Sequence, residues 1–150
     1  PARGKAQFQR VVQLLKIMPK ETTKRLLIVD SDKDACNFAK FYFGRRGYLV
    51  YTADSTIKAF KLLREENPQV LLLDMLVSSR SGIDLLIEIR KFNHDICVVI
   101  TGAEELDHKT CLLVTELDVL EFIEKPLIIL ELEKAIDRAW NEYNPPPATK

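Results

Sequence analysis

From residue 25 onward, five short apolar runs alternate with stretches of helical period, and this alternation constrains the fold more than any other feature. The runs cover residues 26–29, 48–53, 70–73, 96–100 and 119–123. Residues 34–46, 56–66, 83–92, 107–117 and 127–143 carry apolar side chains at helical spacing. In the last of these, Leu132, Ala135, Ile136, Ala139, Trp140 and Tyr143 fall along one face. Gly44 and Gly47 punctuate the end of the first helix, and Asn67-Pro68 ends the second. Ser31-x-x-Asp34 and Ser81-x-x-Asp84 fit capping boxes at two helix starts. The runs are nearly continuous instead of alternating, as expected of strands buried on both faces. Strand–helix alternation then predicts an α/β fold, a doubly wound five-stranded parallel sheet with helices on both faces.

The formal net charge of zero conceals two unequal parts. Residues 1–24 hold Arg3, Lys5, Arg10, Lys16, Lys20 and Lys24 against Glu21 alone, a balance of +5 that leaves −5 for residues 25–150. Within this basic N-terminal extension, Phe8, Val11, Val12, Leu15 and Met18 follow helical spacing until Pro19, which predicts a short amphipathic helix over 5–18. It reads as the end of a preceding domain, a dimerisation helix, or an extension packing on the acidic body. Six bases in 24 residues are too sparse to indicate a nucleic-acid partner. Residues 144–150, Asn-Pro-Pro-Pro-Ala-Thr-Lys, read as a proline-rich linker or tail. The single folded unit is therefore expected over 25–143.

No apolar run approaches the ~18 residues that cross a bilayer, and Pro1-Ala-Arg-Gly-Lys5 does not begin a secretion signal. Cys36, Cys97 and Cys111 are odd in number and lack C-x-x-C spacing, so they read as reduced thiols, at least one of them buried. His94 and His108 fit no zinc constellation and read as solvated. A cytoplasmic protein is expected, with no membrane contact.

In open α/β sheets, ligands bind beyond the carboxyl ends of the strands. The polar residues there are Asp30-Ser31-Asp32, Asp74, Thr101-Gly102 and Glu124-Lys125-Pro126. Asp74 interrupts Val70-Leu-Leu-Leu-Asp-Met-Leu-Val77, where a carboxylate loses hydration and needs cations or hydrogen-bond donors. Alone it reads equally as a capping aspartate that ends a strand. Lys125 supplies a compensating charge, although by itself it would be a solvated lysine before a turn. Thr101 alone is simply a β-branched strand residue.

Taken together, these segments resemble the receiver domain of bacterial response regulators, the CheY-like fold. The resemblance rests on Leu26-Leu-Ile-Val-Asp-Ser-Asp32, the stretch from Val70 to Gly82, Val98-Val-Ile-Thr-Gly102 and Phe122-Ile-Glu-Lys-Pro126. It implies the flavodoxin-like strand order 2-1-3-4-5. It also implies that Asp74 accepts a phosphoryl group from a histidine kinase or phosphotransfer protein. Mg2+ would be held by Asp30, Asp74 and the backbone carbonyl of Leu76. Lys125 and Thr101 would contact the phosphoryl oxygens, and Gly102 would leave room for the incoming group. Thr101 and Phe122 would act as the switch, coupling the site to the fourth helix (107–117), fifth strand (119–123) and fifth helix (127–143). That face is a candidate for a homodimer or an effector.

The sequence departs from the family where Ser31 replaces the usual second acid, which predicts weaker magnesium binding. Ser78 stands where proline is usual and Asp118 where glycine is common, changes that concern loop conformation. The competing reading is an atypical receiver-like module, never phosphorylated, that works through protein contacts alone. The loop after the first strand lacks G-x-G-x-x-G and G-x-x-x-x-G-K-[ST], and Asp30, Asp32 and Asp34 would repel a nucleotide phosphate. No nucleophile–histidine pair is suggested, so an enzyme is not expected.

Overall fold

The computed structural model describes residues 2–17 and 23–143. Helix α1 (Ala2–Ile17) leads into β1 (Lys24–Val29), α2 (Lys33–Gly44), β2 (Tyr48–Ala53), α3 (Thr56–Glu66) and β3 (Val70–Asp74). A small ribbon, β4 (Leu76–Val77) and β5 (Arg80–Ser81), precedes α4 (Gly82–Arg90). Strand β6 (Cys97–Gly102), α5 (His108–Glu116), β7 (Val119–Glu124) and α6 (Ile129–Tyr143) complete the chain. The five long strands are parallel in the order β2-β1-β3-β6-β7, the doubly wound order expected from the sequence. The ribbon was not foreseen. The first helix begins earlier than expected, at Ala2; Met18 and Pro19, together with the proline-rich tail 144–150, lie outside the described residues. Among the described residues, no helix is long and apolar enough to cross a membrane.

Alternation along each strand feeds two cores. Leu26, Ile28, Val70 and Leu72 join Phe43, Leu132, Ile136 and Trp140 under α2 and α6. Leu27, Val29, Leu71 and Leu73 join Leu63, Leu86, Ile89 and Val114 under α3, α4 and α5. This two-sided burial explains the continuous apolar runs. Under α6, Trp140 stacks near Tyr143, and the Lys24 ammonium lies 5.5 Å from its ring centroid.

Helix starts correct two readings of the sequence. Ser31 does not cap α2; Asp32 does, its carboxylate accepting from the Asp34 and Ala35 backbone N–H groups at 3.1 Å each. Asp32 wins because its own N–H is held by Asp30 Oδ1 at 2.9 Å, which sets the turn one residue later. Ser81 occupies the N-cap position of α4, but its side chain makes no capping bond. Elsewhere Ser55 caps α3 and Asp107 caps α5. Asp32→Ala should therefore lower stability by about 1 kcal/mol, whereas Ser31→Ala should change it by less than about 0.5 kcal/mol. Urea denaturation of both variants checks this.

At the opposite ends of the strands, buried Arg90 ties α4, β6 and α5 together. It donates to the carbonyls of Leu117, Asn93, Ile96 and Asp118, and burial draws its pKa below the ordinary range. Asp118 adopts φ +55° and Ser78 φ +48°, so both departures from the family pattern fall at left-handed positions. All three cysteines are free: Cys36 is buried, Cys97 half-buried and Cys111 exposed. His94 and His108 are exposed.

Candidate functional site

Four strands deliver polar residues to one edge of the sheet. Asp30 follows β1 and is 7% exposed; Asp74 ends β3 and is 8% exposed. Thr101, 2% exposed, stands opposite Asp74 in the β3–β6 register. Lys125 follows β7 and is anchored by its N–H donating to the Gly102 carbonyl at 2.7 Å.

The Lys125 ammonium bridges the two acids, 2.6 Å from Asp74 Oδ2 and 3.2 Å from Asp30 Oδ2. Each carboxylate is held from its other oxygen by a backbone donor: the Asp32 N–H reaches Asp30 Oδ1 at 2.9 Å, and the Leu76 N–H reaches Asp74 Oδ1 at 3.2 Å. Burial raises the Asp30 pKa, and the Asp74 charge adds to this, against the Asp32 N–H and Lys125. For Lys125, burial opposes the charge, but the hydrogen bond to Asp74 and the charge of Asp30 outweigh it, and its pKa is raised. Two carboxylates and one ammonium leave the cluster one negative charge in excess. Such a cluster suits a further cation, or a nucleophilic carboxylate facing an anion that brings a cation with it.

Among the described residues, no group of three or more His, Cys, Asp or Glu side chains is placed to hold a metal. Ser31 is exposed and brings no charge, while the Asp32 carboxylate is committed to capping α2. Asp30 and Asp74, sharing one ammonium, remain as a pair of hard oxygen donors. Magnesium keeps several waters and takes one or two carboxylates, so this pair fits it.

The space beside Gly102 differs from expectation. A Cβ there would lie 3.0 Å from Phe122 Cε2 and 3.1 Å from Met75 Cγ, so the glycine admits the Phe122 ring and Met75 instead of leaving an open slot. Phe122 is half-buried and packs on the core under α3, α4 and α5. The structure thus gathers Asp30, Asp74, Thr101 and Lys125, with Leu76 beside Asp74 and Phe122 against the strand that carries Thr101.

Two residues that the sequence did not mark as part of the site brace it. The Ser78 hydroxyl donates to the Asp54 carbonyl at 2.6 Å, tying the loop after β4 to the β2–α3 connection. Gly82 donates its N–H to the Met75 carbonyl at 2.7 Å and lets α4 start against the Asp74 backbone. Cys36, whose thiol donates to the Asp30 carbonyl at 3.4 Å, is no nucleophile: burial, followed by the charges of Asp30, Asp32 and Asp54, pushes it up to about 11.

Residues 26–137 match the family described as response regulator receiver domain. A response regulator receiver domain protein from Clostridium thermocellum is 26% identical, with a TM-score of 0.72 over 80% of this chain and 96% of its own. The non-phosphorylated HemR receiver domain from Leptospira biflexa is 24% identical, with a TM-score of 0.72 over 84% of this chain and 98% of its own. A two-component response regulator from Clostridium difficile is 20% identical, with a TM-score of 0.73 over 81% and 98%. The last two speak for the fold alone. Because the family match runs from β1 into α6 and takes in every strand that feeds the acidic cluster, the chain belongs to the response-regulator receiver domains, CheY-like phosphorelay switches of two-component systems and not enzymes in their own right.

Proposed function

We propose that residues 25–143 form a receiver unit that accepts a phosphoryl group on Asp74 from a histidine kinase or phosphotransfer protein. The observation that carries this reading is the Lys125 ammonium held between Asp74 and Asp30 at the carboxyl edge of the sheet. An Asp74 carboxylate oxygen attacks phosphorus, the bond to the donor breaks, and the donor leaves with the electron pair. Lys125 is placed to exchange carboxylate oxygens for phosphoryl oxygens, and the Thr101 hydroxyl donates to them. Asp30, Asp74 and the Leu76 carbonyl would hold Mg2+, whose part is to neutralise charge between carboxylate and phosphoryl group.

Thr101 and Phe122 then act as the switch. Because the ring already lies against Gly102, movement of β6 must move Phe122 as well. The face that changes comprises α5, β7 and α6, where Leu112, Leu120, Ile128 and Leu130 are exposed. It serves a homodimer or an effector protein.

Incubating the full chain with Mg2+ and a small phosphodonor, then weighing it intact, should reveal one added phosphoryl group. Ser31→Asp should bind magnesium at least about tenfold more tightly, because it restores a third acid near the ion. Equal affinities would remove Ser31 as the weak point. A second reading is favoured by that same residue: with two carboxylates already neutralised in part by Lys125, the module works without phosphorylation. Wild type that gains no mass, under conditions that modify a standard receiver, would leave this reading in place.

A further inference from the structure

Helix α2 turns a second apolar stripe to solvent. Asp34, Phe38, Phe41 and Arg45 follow one another at spacings of 4, 3 and 4, so at 100° per residue they share about 60° of arc. Phe38 is 57% and Phe41 64% exposed, and Asp34 and Arg45 are exposed as well. The opposite face, Cys36, Ala39 and Phe43, is buried in the core under α2 and α6. Arg45 extends the stripe because, at the C-cap, it keeps helical dihedrals of φ −71° and ψ −13°. One apolar face suffices to fold this helix; it has two.

Both rings are already ordered. Phe38 stacks on Tyr42 with centroids 6.1 Å apart, and the Tyr42 hydroxyl donates to Glu133 at 2.6 Å. The Arg45 guanidinium lies over the Phe41 ring, 5.5 Å from its centroid. Among the described residues, neither Asp34 nor Arg45 enters an ion pair. Neighbouring bases point elsewhere: Lys33 and Lys40 lie more than about 100° around the helix from the middle of the stripe, and Arg46 is held by Glu133 at 2.7 Å. The stripe therefore reads acid, phenylalanine, phenylalanine, base, with no net charge.

We infer that this stripe pairs with its own copy: α2 of one chain packs antiparallel on α2 of a second chain across a two-fold axis. The reversal sets Phe38 against Phe41 of the partner subunit and Asp34 against Arg45 of the partner subunit, each contact made twice. A partner bearing one sign of charge would be repelled at one end of the stripe, whereas a reversed copy is matched at both. The 4-3-4 spacing is that of a heptad seam, whose helices cross near 20°. At that angle the two ends, about 8 Å from the axis, separate by only about 3 Å, so the ion pairs stay within reach. The pairing needs neither phosphorylation nor the α5–β7–α6 face.

The contact is small. At about 200 Å² per ring, the exposed parts of four phenylalanines offer on the order of 500 Å² of apolar surface, which places the dimer in the weak, transient class. Rings held beforehand lose little rotamer freedom on docking, which favours it. Sedimentation velocity on the full, unphosphorylated chain should show monomer at about 10 micromolar and substantial dimer by about 500 micromolar. Phe38→Ser combined with Phe41→Ser should leave only monomer over that range and an unchanged urea midpoint, because both side chains lie outside the core. Asp34→Arg should weaken the dimer at least about fivefold, and Arg45→Asp likewise, since each turns both ion pairs into repulsions. Mixing these two variants should restore the dimer, because acids then face bases at both ends. Any helix stability lost in either variant is carried into the mixture, so restored pairing reports the contact alone.

A wild type that stays monomeric at about 500 micromolar overturns the inference and leaves the stripe to a partner other than a second copy. A dimer that survives loss of both phenylalanines lies elsewhere on the chain and overturns it too. If neither charge variant weakens the dimer, or if their mixture fails to pair, the antiparallel register is wrong.

Discussion

The Asp74→Asn variant is expected to gain no phosphoryl group from a small phosphodonor and Mg2+, at any exposure time, while staying folded. The proposed chemistry needs an anionic oxygen with a lone pair free to attack phosphorus, and a neutral amide oxygen is a far poorer nucleophile. No neighbour takes over. Asp30 engages the Asp32 N–H and Lys125, and Asp32 caps α2. Stability should change by no more than about 1 kcal/mol, because opposing contributions nearly cancel. The amide oxygen still accepts the Leu76 N–H; the attraction to Lys125 is lost, but so are the repulsion from Asp30 and the desolvation of a second carboxylate. Intact mass before and after incubation, beside a urea titration, reads both effects. A variant that gained the same mass as wild type would move the acceptor elsewhere.

Gly82→Ala should be the most destabilising single methyl in the molecule. Gly82 is buried at the first position of α4, and a Cβ there would overlap the Asp74 carbonyl oxygen. It would also lie 3.1 Å from the Asp74 carbonyl carbon and 3.3 Å from Met75 Cα. These are backbone atoms at the end of a strand buried on both faces, so no rotamer change relieves the clash. Either α4 lifts from β3, breaking the Gly82 N–H to Met75 bond, or Asp74 moves. A loss of at least about 3 kcal/mol is expected, seen as a lower urea midpoint. Gly44→Ala is the control: nothing lies within 4 Å of a Cβ there, and the change should be neutral or slightly stabilising. Similar midpoints for the two variants would show that the α4 junction yields easily.

How much of this was legible in the sequence follows from where each signal comes from. Strands buried on two faces leave runs of Leu, Ile and Val, so β2 and α3 begin and end where the pattern says, and the other core elements lie within a few residues. The gathering of Asp30, Asp74, Thr101 and Lys125 was legible as well, because parallel strands in this order bring their carboxyl ends to one edge.

Features set by two elements at once were not. Ser31-x-x-Asp34 matches a capping pattern, but a side chain on β1's end, Asp30, fixes the turn and hands the cap to Asp32. Gly102 promises space, yet Phe122 from β7 and Met75 from the β3 end fill it. The β4–β5 ribbon has two-residue strands, too short for any period to register. Arg90 carries no sequence mark of its role, yet its guanidinium closes carbonyls of the α4–β6 and α5–β7 connections.

Trp140 is the chain's sole tryptophan, and its surroundings make it an optical reporter with a defined blind side. It lies beneath Lys24, at the start of β1, whereas the carboxylate pair begins at Asp30, past the end of that strand and about 20 Å away at 3.3 Å per residue. Its core is the one under α2 and α6, on the other side of the sheet from the core that holds Phe122. Indole emission therefore follows global unfolding and whatever displaces Lys24. Events at Asp74 need a second chromophore, and a tryptophan at Phe122 would sit beside Gly102 on β6, the strand that the proposed switch would move.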